Sequence, residues 1–176
     1  DDAYYLTSLA GLESLEVVQD LSITGNDDLI SLAGLDGLES VQGSLEIGGN
    51  RRMITLEGAD NLSSVGSLVV DDNASLESLV GLETLEQVDG DVEIVDHDDL
   101  LSLDGLEGLV SIGGELQIGR NAALEDLSAL SGLSDIGGDI LIGDNDALAT
   151  LEGLEGLTAL ANSASGSQPQ LSARAE

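Results

Sequence analysis

Apolar residues recur along this chain in a sentence of 24 residues, L-x-I-x-x-N-x-x-L-x-x-L-x-x-L-x-x-L-x-x-V-x-G-x, of which Val92 to Glu115 is one full copy. Complete copies begin at Leu21, Leu45, Leu68, Val92, Leu116 and Ile140, so the period is 24 residues except for one coil of 23, which lacks a residue between Val65 and Leu68. Self-similarity at this period is the mark of a stacked solenoid, in which each repeat buries its apolar face only against its neighbours. Residues 1–20 carry the second half of the pattern at Leu6, Leu9, Leu12, Leu15 and Val18. They are expected to form a partial N-terminal coil or cap, with Tyr4 and Tyr5 over its open end. Residues 21–160 are the expected solenoid of about six coils. The small, polar stretch 161–176, with the sole proline at Pro169, reads as a flexible tail or linker.

Within each coil the L-x-I pair has period 2, so it predicts a short strand with both apolar residues inward. Equivalent strands of successive coils should stack into a parallel sheet. The later L-x-x-L spacing fits neither a strand nor a full α-helix and predicts 3₁₀-like turns. Glycine stands before the third of these leucines at Gly11, Gly34, Gly58, Gly81, Gly105 and Gly153, with Ala129 in its place once. A tight corner or close backbone approach is expected there.

The most specific feature is the asparagine of Asn26, Asn50, Asn73, Asn121 and Asn145, with His97 in the same column. An amide both donates and accepts, so a stacked column can satisfy backbone groups left open where each strand turns. The L-x-I-x-x-N core resembles the leucine-rich-repeat superfamily. The longer V-x-G-x-L-x-I-x-x-N-x-x-L, as in Val41 to Asn50 and Ile136 to Asn145, is similar to the receptor L-domain type. That resemblance covers about residues 6 to 160. It implies a mainly β, right-handed parallel β-solenoid of bacterial or archaeal surface proteins, with recognition by a sheet face and no catalysis.

Composition sharpens this picture. The 176 residues include no Phe, Trp or Cys, so Leu, Ile and Val must fill the core, and neither a disulfide nor a thiolate metal site can form. No apolar run approaches the roughly 18 residues needed to cross a bilayer as a helix. Thirty-five acidic residues oppose four arginines, for a formal net charge of −31. Direct nucleic-acid binding is excluded because phosphate contacts need basic side chains. The acids suit a solvated surface at high ionic strength, bound cations, or a mimic of DNA.

His97, flanked by Asp96, Asp98 and Asp99, invites a metal or pH-sensing role, but an imidazole standing in for one amide of the column is the simpler reading. As the sole histidine, without serine or cysteine at useful spacing, it does not suggest a nucleophilic triad, and no enzymatic activity is expected. Stacking should set Asp27 and Asp28 beside Arg51 and Arg52, and Arg120 between Asp96 and Asp144. Asp71, Asp72, Asp96 and Asp98 form the candidate calcium (Ca2+) set, since hard cations need clustered oxygen ligands. An acidic column runs through Glu13, Asp36, Asp60, Glu83, Glu107 and Glu155, broken by Ser131. A Ser/Thr column, Ser8, Ser31, Thr55, Ser78, Ser102 and Thr150, broken by Asp126, reads as turn chemistry. The candidate binding surface is the outward sheet face, Ser22, Glu46, Val69, Glu93, Gln117 and Leu141, with Thr24, Asp71 and Val95 beside it.

The expected function is therefore a non-catalytic extracellular or cell-surface module for adhesion, spacing or protein binding. Its partner would be a protein or cell-surface ligand. The alternatives are self-association through the solenoid ends into a structural filament, and an acidic DNA-mimic inhibitor.

Overall fold

A computed structural model describes residues 6–157 together with the strands Ala159–Leu160 and Leu171–Arg174. Tyr4 and Tyr5, and the rest of the stretch 161–176, lie outside the described residues. The chain is a parallel β-solenoid with almost no helix. Its L-x-I segments form β2 (Leu21–Thr24), the second halves of β3 (Ser40–Gly48) and β4 (Ser64–Asp71), then β6 (Val92–Val95), β8 (Leu116–Gly119) and β10 (Ile140–Gly143). Leu21, Leu45, Leu68, Val92, Leu116 and Ile140 lie side by side in continuous parallel register. The six expected coil starts are thus six rungs of one ladder, joined by five turns of chain.

A second parallel ladder runs beside the first. It is built from β1 (Val17–Val18), the first halves of β3 and β4, β5 (Gln87–Val88), β7 (Ser111–Ile112), β9 (Asp135–Ile136) and β11 (Ala159–Leu160). Each apolar member, Val41, Val65, Val88, Ile112 and Ile136, points into the core. The short coil leaves its trace between the ladders: Val41 pairs with Val65 but Ser44 with Ser67, so β3 carries one extra residue as a bulge. Both ladders keep their register because the missing residue falls in the bend that joins them.

Inward leucines build the rest of each coil. Backbone N–H groups of Leu35 and Leu38 donate to the carbonyls of Leu32 and Leu35 at 3.1 and 2.8 Å, and the same three-residue bonds recur down the stack. Spacing of three thus becomes a string of tight turns, most of them ending on a buried leucine. One apolar cluster runs through the solenoid from Leu9 to Ile142. It contains no aromatic side chain, only Leu, Ile, Val and Ala with the single Met53, in thin layers that repeat from coil to coil.

Glycine corners hold the layers close. Gly105 has φ +110°, and a Cβ there would collide with the Leu79 carbonyl of the coil before; Gly58, Gly81 and Gly153 meet the same obstacle. Where Ala129 replaces glycine, the chain instead forms a 3₁₀ helix over Ser128–Gly132. Within the stretch expected to be a tail, Leu171–Arg174 is β12, which pairs parallel with β10 from Ile140↔Leu171 to Gly143↔Arg174. Those four residues belong to the sheet, where the open edge of β10 offers backbone donors and acceptors to a further strand.

Candidate functional site

The asparagine column is a structural ladder that ties each coil to the next. Asn50 Oδ1 accepts the backbone N–H of Asn26 at 2.9 Å, while its amide donates to the Ile23 carbonyl at 2.7 Å. Asn73, Asn121 and Asn145 repeat both bonds, with carbonyls Ile47, Ile94 and Ile118 as acceptors. Asn50, Asn73, His97 and Asn121 are all fully buried. The side-chain nitrogen and oxygen atoms of each buried rung all find a partner, which is the condition for burying them.

His97 performs both tasks with a different ring. Its Nδ1 accepts the Asn73 N–H at 3.2 Å, its Nε2 lies 3.2 Å from the Val70 carbonyl, and its own N–H donates to Asn121 Oδ1 at 3.1 Å. This arrangement places the ring proton on Nε2. Burial pushes the imidazole below its ordinary value, against the opposing pull of its backbone partners and of Asp96 and Asp72.

The acidic column also has a local role that its vertical spacing concealed. Each carboxylate accepts the N–H of the corner glycine two residues before it: Gly11 to Glu13, Gly34 to Asp36, Gly58 to Asp60, Gly81 to Glu83, Gly105 to Glu107 and Gly153 to Glu155, at 2.8 to 3.2 Å. These carboxylates are corner caps, and the sole coil without the glycine also lacks the acid, at Ser131. The Ser/Thr column is turn chemistry as expected: Ser8, Ser31, Ser102 and Thr150 accept N–H groups two residues on, and Asp126 does the same to Ser128.

Two of the expected inter-coil ion pairs form. Arg52 reaches Asp28 at 2.7 Å, and Arg120 grips both oxygens of Asp96 at 2.5 and 2.6 Å, holding that carboxyl below its usual range. Arg51 makes no ion pair with Asp27, because its exposed side chain gains little by leaving water. Of the four aspartates of the calcium set, Asp72 and Asp96 lie near enough to Asp71 to push its carboxyl up. Asp96 is engaged by Arg120, and among the described residues no three His, Cys, Asp or Glu side chains are placed to hold a metal ion.

What remains uncommitted to folding is the outward sheet face. Ser22, Glu46, Val69, Glu93, Gln117 and Leu141 form one straight column across the sheet, and Thr24, Gly48, Asp71, Val95, Gly119 and Gly143 the next. Ser22 donates to Glu46 at 3.0 Å. Asp71 lies over Gly48, which has no side chain to keep it away. Its Oδ1 is buried without a hydrogen-bond partner. Burial first, then Glu46, Asp72, Glu93 and Asp96, push its carboxyl above the usual range. Toward β10, the glycines open a shallow depression of about 200 Å³ lined by Gln117, Gly119, Arg120, Leu141, Gly143 and Asp144.

One surface was not anticipated. Ile30, Ile54 and Leu101 stand exposed at 51, 43 and 51% on the turn edge, in a column with Glu77 and Glu125. Their sequence signal is weak, since each is a single apolar residue next to an inward leucine or methionine.

By its architecture the chain is a parallel β-solenoid repeat protein. It matches no protein-family model, no curated protein and no solved structure.

Proposed function

We propose that this protein is a non-catalytic extracellular or cell-surface binding module of the leucine-rich-repeat, receptor L-domain kind, and that the outward sheet face is its recognition surface. The single observation that carries the reading is Asp71, whose carboxylate oxygen is buried without a partner in the middle of that face. A partly desolvated carboxylate held beside Glu46 and Glu93 costs stability in the free protein, and a cationic partner group over its solvent-facing side would relieve it. The strongly acidic surface directs the choice: a cationic protein segment is attracted and a polyanion repelled. Val69, half-buried between Glu46 and Glu93, supplies apolar contact between the acids, on a scaffold whose register is held by backbone bonds along its length.

The test uses an extended lysine-rich peptide as probe, with titration calorimetry at fixed ionic strength. Joint neutralisation of Glu46→Gln and Glu93→Gln should weaken binding at least about tenfold more than the charge-matched pair Glu86→Gln and Glu125→Gln, which lies away from the face; that factor corresponds to ~1.4 kcal/mol. Equal losses in the two double variants would reduce the interaction to net charge and remove the sheet face from the reading.

A further inference from the structure

We propose that His97 makes the middle of the solenoid a proton-sensitive joint, in which protonation of the ring breaks one rung of the buried ladder and loosens the coil of β6 from the coil of β4. The argument begins with what the rung must do. At Asn50, Asn73, Asn121 and Asn145 an amide oxygen accepts the N–H of the preceding rung, and an amide has no protonation state to change in the physiological range. At His97 the same N–H, that of Asn73, is accepted by Nδ1. Only the neutral imidazole has a lone pair there. Once Nδ1 carries a proton it can turn only toward the Asn73 carbonyl, also 3.2 Å away. The Asn73 N–H then faces a donor in a site from which water is excluded.

Burial sets the balance by disfavouring the imidazolium most strongly; the Asn73 and Val70 carbonyls, then Asp96 on the same turn and Asp72 of the preceding coil, favour it. Asp98 and Asp99 follow His97 in exposed positions, and Arg120 of the next coil is tied to Asp96. With the folded value held below the ordinary 6.5, the neutral ring's contribution to stability is fully present above that value and is lost as pH falls through the folded one. A solenoid is stable through nearest-neighbour contacts, so weakening one rung acts at that interface first.

Because His97 is the sole histidine, its ring resonances can be followed in the intact chain by NMR. The expected result is titration below the ordinary histidine value, together with faster hydrogen exchange at the Asn73 and His97 amides in acid. The partner measurement compares thermal midpoints with His97→Asn, the residue that every other coil carries. Between about pH 7.5 and about pH 5 the wild type should lose at least ~2–4 °C more than the variant. An imidazole that titrates at or above its ordinary value would overturn the joint. So would equal midpoint losses in the two proteins.

Discussion

At the scale of single residues, the balance between satisfied and orphaned polar atoms separates structure from function. Asn50 makes bonds on both sides of its amide, whereas Asp71 Oδ1 makes none. A carboxyl whose folded value is raised stabilises the fold only while protonated. That contribution is present below the ordinary 3.8 and is lost as pH rises through the folded value. At neutral pH Asp71 therefore opposes folding. Asp71→Asn is expected to raise the thermal midpoint at pH 7, by a fraction of ~1 kcal/mol because the group is partly solvated, and to lose that advantage near about pH 3. A midpoint at pH 7 no higher than wild type would show that the orphaned oxygen costs nothing. The asparagine ladder was legible in the sequence because its chemistry depends on residue type at a repeated offset. The isolation of Asp71 was not, because it depends on which atoms of Gly48, Glu46 and Glu93 stand within reach.

Among the elements, the corner of each coil couples a glycine to a carboxylate. Gly105 turns with φ +110° against the Leu79 carbonyl, and Glu107 binds the N–H that this turn exposes. Gly105→Ala should cost more than ~2 kcal/mol, since it combines a left-handed backbone with a backbone collision. Glu107→Ala should cost about 0.5–2 kcal/mol, the usual range for losing a capping side chain. Urea denaturation checks both, and a Gly105→Ala loss no larger than that of Glu107→Ala would contradict the collision. The same Gly-to-Ala exchange is native at Ala129 because that coil folds its corner into a 3₁₀ helix and carries Ser131 where the others have an acid. Here the pattern showed the glycines and the acids as separate columns. The bond joining them runs within one coil, over two residues, and reading across coils hides it. The same holds for β12: Leu171 to Arg174 keeps only the leucine of the L-x-I pair and falls outside the 24-residue spacing, and its pairing follows from the edge that β10 presents.

Across the whole molecule, stacking converts sequence periodicity into electrostatic columns. Asp91, Glu115 and Asp139 recur one coil apart, and Glu115 is pushed above the usual carboxyl range by burial and then by Asp91, Asp139 and Glu93. Capping bonds compensate part of the charge locally, as Asp91 does for the Glu115 N–H at 2.8 Å. They leave the net charge of −31 intact. Two exposed ion pairs, at most about 1 kcal/mol each, cannot offset that field. Mobile ions can, because the Debye length falls from about 30 Å at 0.01 M to about 3 Å at 1 M. Thermal stability is therefore expected to rise with NaCl across that range, by several degrees. Calcium and magnesium at matched ionic strength should act alike, since among the described residues no three acidic or histidine groups are placed to hold a metal. Differential scanning calorimetry in the three salts separates the cases. A flat response to NaCl would mean that the capping bonds neutralise the columns. A rise specific to calcium would mean that exposed aspartates rearrange around the ion, with Asp96 released from Arg120.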